Sequence, residues 1–82
     1  MIAAIIVDDE PGAIETLSLT LQKYCPQIAV LGTANNISDA KELIKQKQPD
    51  LVFLDVNMPN GSGLDLLSSY KKSEINFDVI FT

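Results

Sequence analysis

The stretch LVFLDVNMPNG, residues 51–61, decides the fold. Four apolar residues run straight into an ionisable one, Asp55, and a loop rich in Asn, Pro and Gly follows. A short apolar run bounded by turn residues predicts a strand over residues 51–56 that is covered on both faces. Burying an unpaired charge is costly, so this carboxylate must have a partner, sit at an open edge, or do chemistry.

The same grammar repeats on either side. IAAIIV, from Ile2 to Val7, is apolar and β-branched, and predicts a first strand. Asp8, Asp9, Glu10 and Pro11 break it; proline suits the first turn of a helix and acids there complement the helix dipole. Ile14, Leu17, Leu21 and Tyr24 then recur at helical spacing, and Pro26 closes that helix. IAVLGTA, from Ile28 to Ala34, predicts a second strand, with Gly32 weakening its far end. Ser38 is the expected N-cap of a second helix reaching about residue 48, with Ala40, Leu43 and Ile44 inward and Pro49 as its stop. Ser62 or Gly63 starts a third helix, with Leu64 and Leu67 inward and Lys71 and Lys72 in its last turn. Residues 77–82 predict a fourth strand. The order β-α-β-α-β-α-β, with helices between the strands, predicts right-handed crossovers in an α/β, doubly wound parallel sheet.

The composition narrows the function. The chain has 82 residues, enough for one small domain, and 46% of them are hydrophobic. Six basic residues against eleven acidic give a net charge of −5. That balance argues against direct binding to nucleic acid or an anionic membrane surface and favours divalent cations or basic partners. Histidine is absent, which excludes His-based acid–base chemistry and His metal ligation within these residues. Cys25 is the sole cysteine, so no intrachain disulfide forms; it reads as a small hydrophobe at a helix end, in a reducing compartment. No apolar run approaches the roughly 20 residues of a membrane span, and Ile2 to Val7 lacks the flanks of a signal peptide, so a cytoplasmic location is expected.

In open parallel sheets, ligands bind beyond the carboxyl ends of the strands, where strand order reverses. Asp8 and Asp9 follow the first strand and Asp55 the third. If those strands are neighbours, three carboxylates converge, and without a cation at least one would take up a proton. All-oxygen donors at an open edge suit Mg²⁺. Each motif alone has a plainer reading: Asp8, Asp9 and Glu10 as helix caps, Asp55 as a turn residue, residues 57–63 as a tight loop.

Taken together, IIVDDEP, LVFLDVNMPNGSG and VIFT resemble the motifs of the receiver domain of two-component response regulators. VDDEPGAIETL and INFDVIFT further resemble receivers attached to LytTR-type DNA-binding domains. The resemblance spans the chain and implies the flavodoxin-like receiver fold. It implies that Asp55 is the phospho-acceptor and Thr82 the switch hydroxyl. It also implies a Mg²⁺ site made by Asp9 directly, by Asp8 through water or a contact one shell out, by Asp55, and by the backbone carbonyl of Asn57. The implied partner is a sensor histidine kinase, and the implied output is control of an effector domain. Met58, Pro59 and Gly63 fit the family's loop beside the acceptor, where turn geometry is their expected role.

The family's sheet has five strands, so residues 1–82 are expected to be an N-terminal portion that lacks the last strand and two helices. The family's lysine lies on that strand; Lys71 and Lys72 are poor substitutes. The fourth strand would then be an exposed apolar edge inviting a homodimer or higher assembly, even strand exchange. A terminal carboxylate on Thr82, at about 6 Å and an effective dielectric of about 20, would cost an incoming phosphoryl group roughly 3 kcal/mol before screening. The competing expectation is an interaction or oligomerisation module that is not phosphorylated. A different Mg²⁺-dependent phosphotransfer enzyme is disfavoured, because Gly61, Ser62 and Gly63 lack a P-loop lysine.

Overall fold

The computed structural model describes residues 1–58 and 63–82. Its elements are β1 (Ile2–Val7), α1 (Pro11–Tyr24), β2 (Ile28–Ala34), α2 (Ile37–Lys47), β3 (Leu51–Leu54), α3 (Gly63–Ser68), a single 3₁₀ turn (Lys72–Glu74) and β4 (Asp78–Phe81). The strands form one parallel sheet in the order β2-β1-β3-β4.

Strand alternation builds two cores. Ile5 and Val7 pair in register with Val52 and Leu54 and face α2 and α3, meeting Ala40, Ile44 and Leu66. Ala4 and Ile6 pair with Leu51 and Phe53 and face α1, meeting Leu21. Side chains two apart share a face of a strand, so β1 and β3, being apolar at every position, are the strands that can be covered twice. Among the described residues no helix is long and apolar enough to cross a membrane.

Several expected boundaries move, each for a local reason. Asn36, not Ser38, caps α2: its side-chain oxygen accepts the Asp39 N–H at 2.8 Å while its amide donates to the Asp39 carboxylate at 2.9 Å. α2 ends on Gln48 in the left-handed region, φ 46°, directly before Pro49. The sheet irregularity falls at Leu31, which is skipped where Val30 pairs with Ala4 and Gly32 with Ile5; pairing is regular again to Ala34. Gly32 is instead where the Leu43 side chain closes onto β2, since a Cβ there would lie 3.0 Å from Leu43 Cδ1. Tyr24, expected inward, is 70% exposed with the Lys23 ammonium over its ring, and half-buried Cys25 packs on the α1 core in its place.

The third helix departs furthest. Its inward side carries Gly63, Leu66 and Leu67, at i, i+3 and i+4, with Tyr70 packing on the same core just past its end, so Leu66 is fully buried and Leu64 is 60% exposed. The Ser68 and Ser69 hydroxyls donate to the carbonyls of Asp65 and Leu66, and the helix stops at Ser68. Lys71 and Lys72 therefore open the 3₁₀ turn, where the Lys71 N–H donates to the Glu74 carboxylate at 2.7 Å. Ser62 as a helix start, and the loop reading of Pro59, Asn60 and Gly61, lie outside the described residues.

A carboxylate cluster at the carboxyl edge of the sheet

From β1 the chain crosses outward to β2, then returns over β1 to β3, and strand order reverses there. The residue after each of β1, β3 and β4 is held by one further ladder bond. The Asp8 N–H donates to the Ala34 carbonyl at 3.0 Å, the Asp55 N–H to Val7 at 2.9 Å, and the Thr82 N–H to Leu54 at 3.0 Å. Two acids and a hydroxyl residue are thus brought to one edge by backbone alone. β3 ends at Leu54 rather than at residue 56, because the Asp55 side chain turns back to accept the Asn57 N–H at 2.9 Å. Asp8 likewise accepts the Glu10 N–H at 2.9 Å, while Glu10, at the N-cap of α1, makes no side-chain cap bond. Both carboxylates are oriented by Asx turns.

Asp8, Asp9 and Asp55 are all half-buried, and each offers an oxygen within 4.8 Å of the others. Burial, foremost, then the Asp55 carboxylate and Asp9, raise the Asp8 pKa above its usual 3.8; the Glu10 N–H pulls the other way. Three oxygen donors with unrelieved mutual repulsion fit a hard divalent cation of the Mg²⁺ type.

The positions expected to matter sort as follows. Asp8, Asp9 and Asp55 meet. β4 runs over Asp78–Phe81 rather than residues 77–82, so Thr82 directly follows it, beside the end of β3, and Asn57 lies two residues past Asp55, bound to it through its N–H. Lys71 and Lys72 precede β4 and lie toward the opposite, amino edge. Met58 is 7% exposed and packs in the α2–α3 core, so its role is packing rather than turn geometry. Gly63 backs directly onto Leu54 and the Asp55 carbonyl, a contact that no spacing rule in the sequence signals. A hollow of about 730 Å³ lies away from the acids, among Lys41, Pro49, Tyr70 and Phe77.

A parallel sheet of this order belongs to the class of open α/β domains whose ligands sit at the carboxyl edge, where strand order reverses. The response regulator receiver domain matches residues 4–82, and the chain belongs to that family. It is therefore the receiver domain of a two-component response regulator. It is 44% identical over 68 residues to an uncharacterized response regulatory protein of Vibrio cholerae, spanning 83% of this chain and 28% of that protein. To the sensory transduction protein LytT of Enterococcus faecalis it is 40% identical over 62 residues, 76% of this chain and 25% of LytT. Among solved structures it resembles the MaeR response regulator bound to beryllium trifluoride, with a TM-score of 0.82 at 27% identity, covering 100% of this chain and 66% of that one. A mutant MaeR response regulator bound to sulfate superposes with a TM-score of 0.87 at 26% identity, over 99% of this chain and 66% of that one. The chain thus spans about a quarter of the length of these curated relatives. Receiver domains bind Mg²⁺ through an acidic cluster and interact with sensor histidine kinases.

Proposed function

We propose that Asp55 accepts a phosphoryl group, donated by a sensor histidine kinase phosphohistidine or by a small acyl phosphate. The observation that carries this reading is the meeting of Asp8, Asp9 and Asp55 within 4.8 Å at the switch point of a receiver sheet. An Asp55 carboxylate oxygen attacks phosphorus; a P–O bond forms as the donor's P–N or P–O bond breaks, and the donor leaves with the electron pair. The product is an aspartyl phosphate. Asp8, Asp9, Asp55 and the Asn57 carbonyl would hold Mg²⁺, which would supply charge neutralisation for the carboxylate and the incoming phosphoryl group. The Asn57 N–H holds one Asp55 oxygen and so orients the carboxylate. Thr82, at the end of the neighbouring strand, supplies a hydroxyl that senses the product. The likeness to MaeR, solved with beryllium trifluoride, supports a site for a small anionic group.

The output is an effector domain outside these residues, of the LytTR DNA-binding type, in a cytoplasmic protein. Intact-mass spectrometry after incubation with Mg²⁺ and acetyl phosphate tests the reading: a gain of one phosphoryl group, lost in Asp55→Asn, is expected. No gain in the unsubstituted chain overturns it.

A second reading rests on a separate observation. Ile80 and Phe81 on β4 are 46% and 47% exposed, which favours self-association along this strand. Light scattering should then detect a dimer that Ile80→Lys disperses; monodisperse monomer at high concentration removes the idea.

A further inference from the structure

Gly63 is buried at the first position of α3, and a Cβ built on it would lie 2.7 Å from Leu54 Cγ and 2.8 Å from the Asp55 carbonyl oxygen. Real Cβ atoms do not come that close to either atom, so any side chain at 63 forces a movement. We propose that Gly63 is a positioning residue for the Asp55 carboxylate, setting its orientation through the Asp55–Val56 peptide. The proposal rests on Asp55 being the acceptor only where phosphoryl transfer is measured.

Three groups could yield. The Leu54 side chain is fully buried among Val7, Val52 and Leu66, and has nowhere to swing. α3 is anchored by Leu66, which is also fully buried, and backing the helix away would open a void beneath that residue. The Asp55 carbonyl lies past the end of β3, in the turn that leads to Asn57. Its peptide is the element free to rotate. The Asp55 N–H stays pinned to Val7, so rotation occurs about the bond between the Asp55 Cα and its carbonyl carbon. That rotation carries the Asn57 N–H away from the Asp55 carboxylate oxygen it holds at 2.9 Å. A methyl at 63 is thereby converted into a misaligned acid at the sheet edge.

The test uses Gly63→Ala in the whole chain, with Leu66→Ala as a control that weakens the same core without touching Asp55. In metal-free protein, the Asp55 and Asn57 amide resonances should shift in Gly63→Ala beyond any change in Leu66→Ala. The Mg²⁺ dissociation constant, from titration of those amides, should rise about tenfold, as when a group orienting a metal ligand is lost. The control should stay within about twofold of the unsubstituted chain. The labelling rate by acetyl phosphate should fall roughly a hundredfold, the scale of an ångström-sized misplacement.

The double variant Leu54→Ala/Gly63→Ala removes the side-chain contact and keeps the carbonyl contact, so it should retain the Mg²⁺ defect. If Gly63→Ala or Leu66→Ala is poorly folded, all the proteins are measured in trimethylamine N-oxide, which favours the folded state. A Gly63→Ala protein that loses thermal stability but keeps unsubstituted amide shifts and Mg²⁺ affinity overturns the proposal, as does recovery of affinity in the double variant. If the unsubstituted chain takes up no phosphoryl group, the acceptor reading fails, while the amide and Mg²⁺ measurements still decide the role of Gly63.

Discussion

Replacing Asp8 by Asn should make the metal-free protein more stable and its Mg²⁺ complex less so. The amide is nearly isosteric, and its oxygen can keep the Glu10 N–H that Asp8 accepts at 2.9 Å. What is lost is repulsion with Asp55 and Asp9, whose oxygens come within 4.8 Å. One such pair at that distance is worth about 3.5 kcal/mol at an effective dielectric of about 20 and about 0.9 kcal/mol in bulk water. The cluster is half-buried, so screening puts the total gain for two pairs at about 1–2 kcal/mol. In a domain of this size that is a rise in Tm of about 4–16 °C. The sign with pH follows from the raised Asp8 pKa. The folded state holds this proton more tightly than the unfolded chain, so metal-free stability falls as pH rises from the usual 3.8 through the raised value. Asp8→Asn should flatten that fall. Circular dichroism melts in EDTA at about pH 4 to 7, repeated with MgCl₂, measure both effects. Mg²⁺ should raise the Tm of the unsubstituted chain and have a smaller effect on the variant. A metal-free Asp8→Asn protein that melts at or below the unsubstituted chain at low salt and neutral pH would refute the reasoning.

Two further outcomes test the scaffold. Gln48 adopts φ 46° at the end of α2, a conformation that costs a residue with a side chain roughly 1–2 kcal/mol. Gln48→Gly should therefore raise stability to chemical denaturation by about 1 kcal/mol, with an unchanged m-value. Leu66 is fully buried between α3 and the sheet, and Leu66→Ala should cost about 2–5 kcal/mol in the same titration.

Much of this fold is legible in the order of the residues. β1 and β2 run over the expected residues because β-branched and apolar runs end at strong breakers, Asp8 and Asn35. α1 begins at Pro11, where a missing N–H costs nothing. The departures lie where the local signal is weak or divided. Asn36 and Ser38 are both good caps, and the helix starts from the one with an acid three residues on that can reciprocate. α3 has six residues, fewer than two turns, so Leu64, Leu66 and Leu67 fit more than one stripe; close packing of Gly63 on Leu54 selects the stripe that buries Leu66.

The sequence by itself determined where the four strands lie to within a residue or two and that acids stand at two of their ends, because strand and turn preferences are set by neighbours along the chain. That β1 and β3 are adjacent, bringing Asp8 and Asp9 to within 4.8 Å of Asp55, was decided only by the tertiary structure. The reason is that these two strands alone are apolar on both faces and must lie between α1 on one side and α2 with α3 on the other. Burying them side by side aligns their carboxyl ends, and the acids meet as a consequence of where the core has to be.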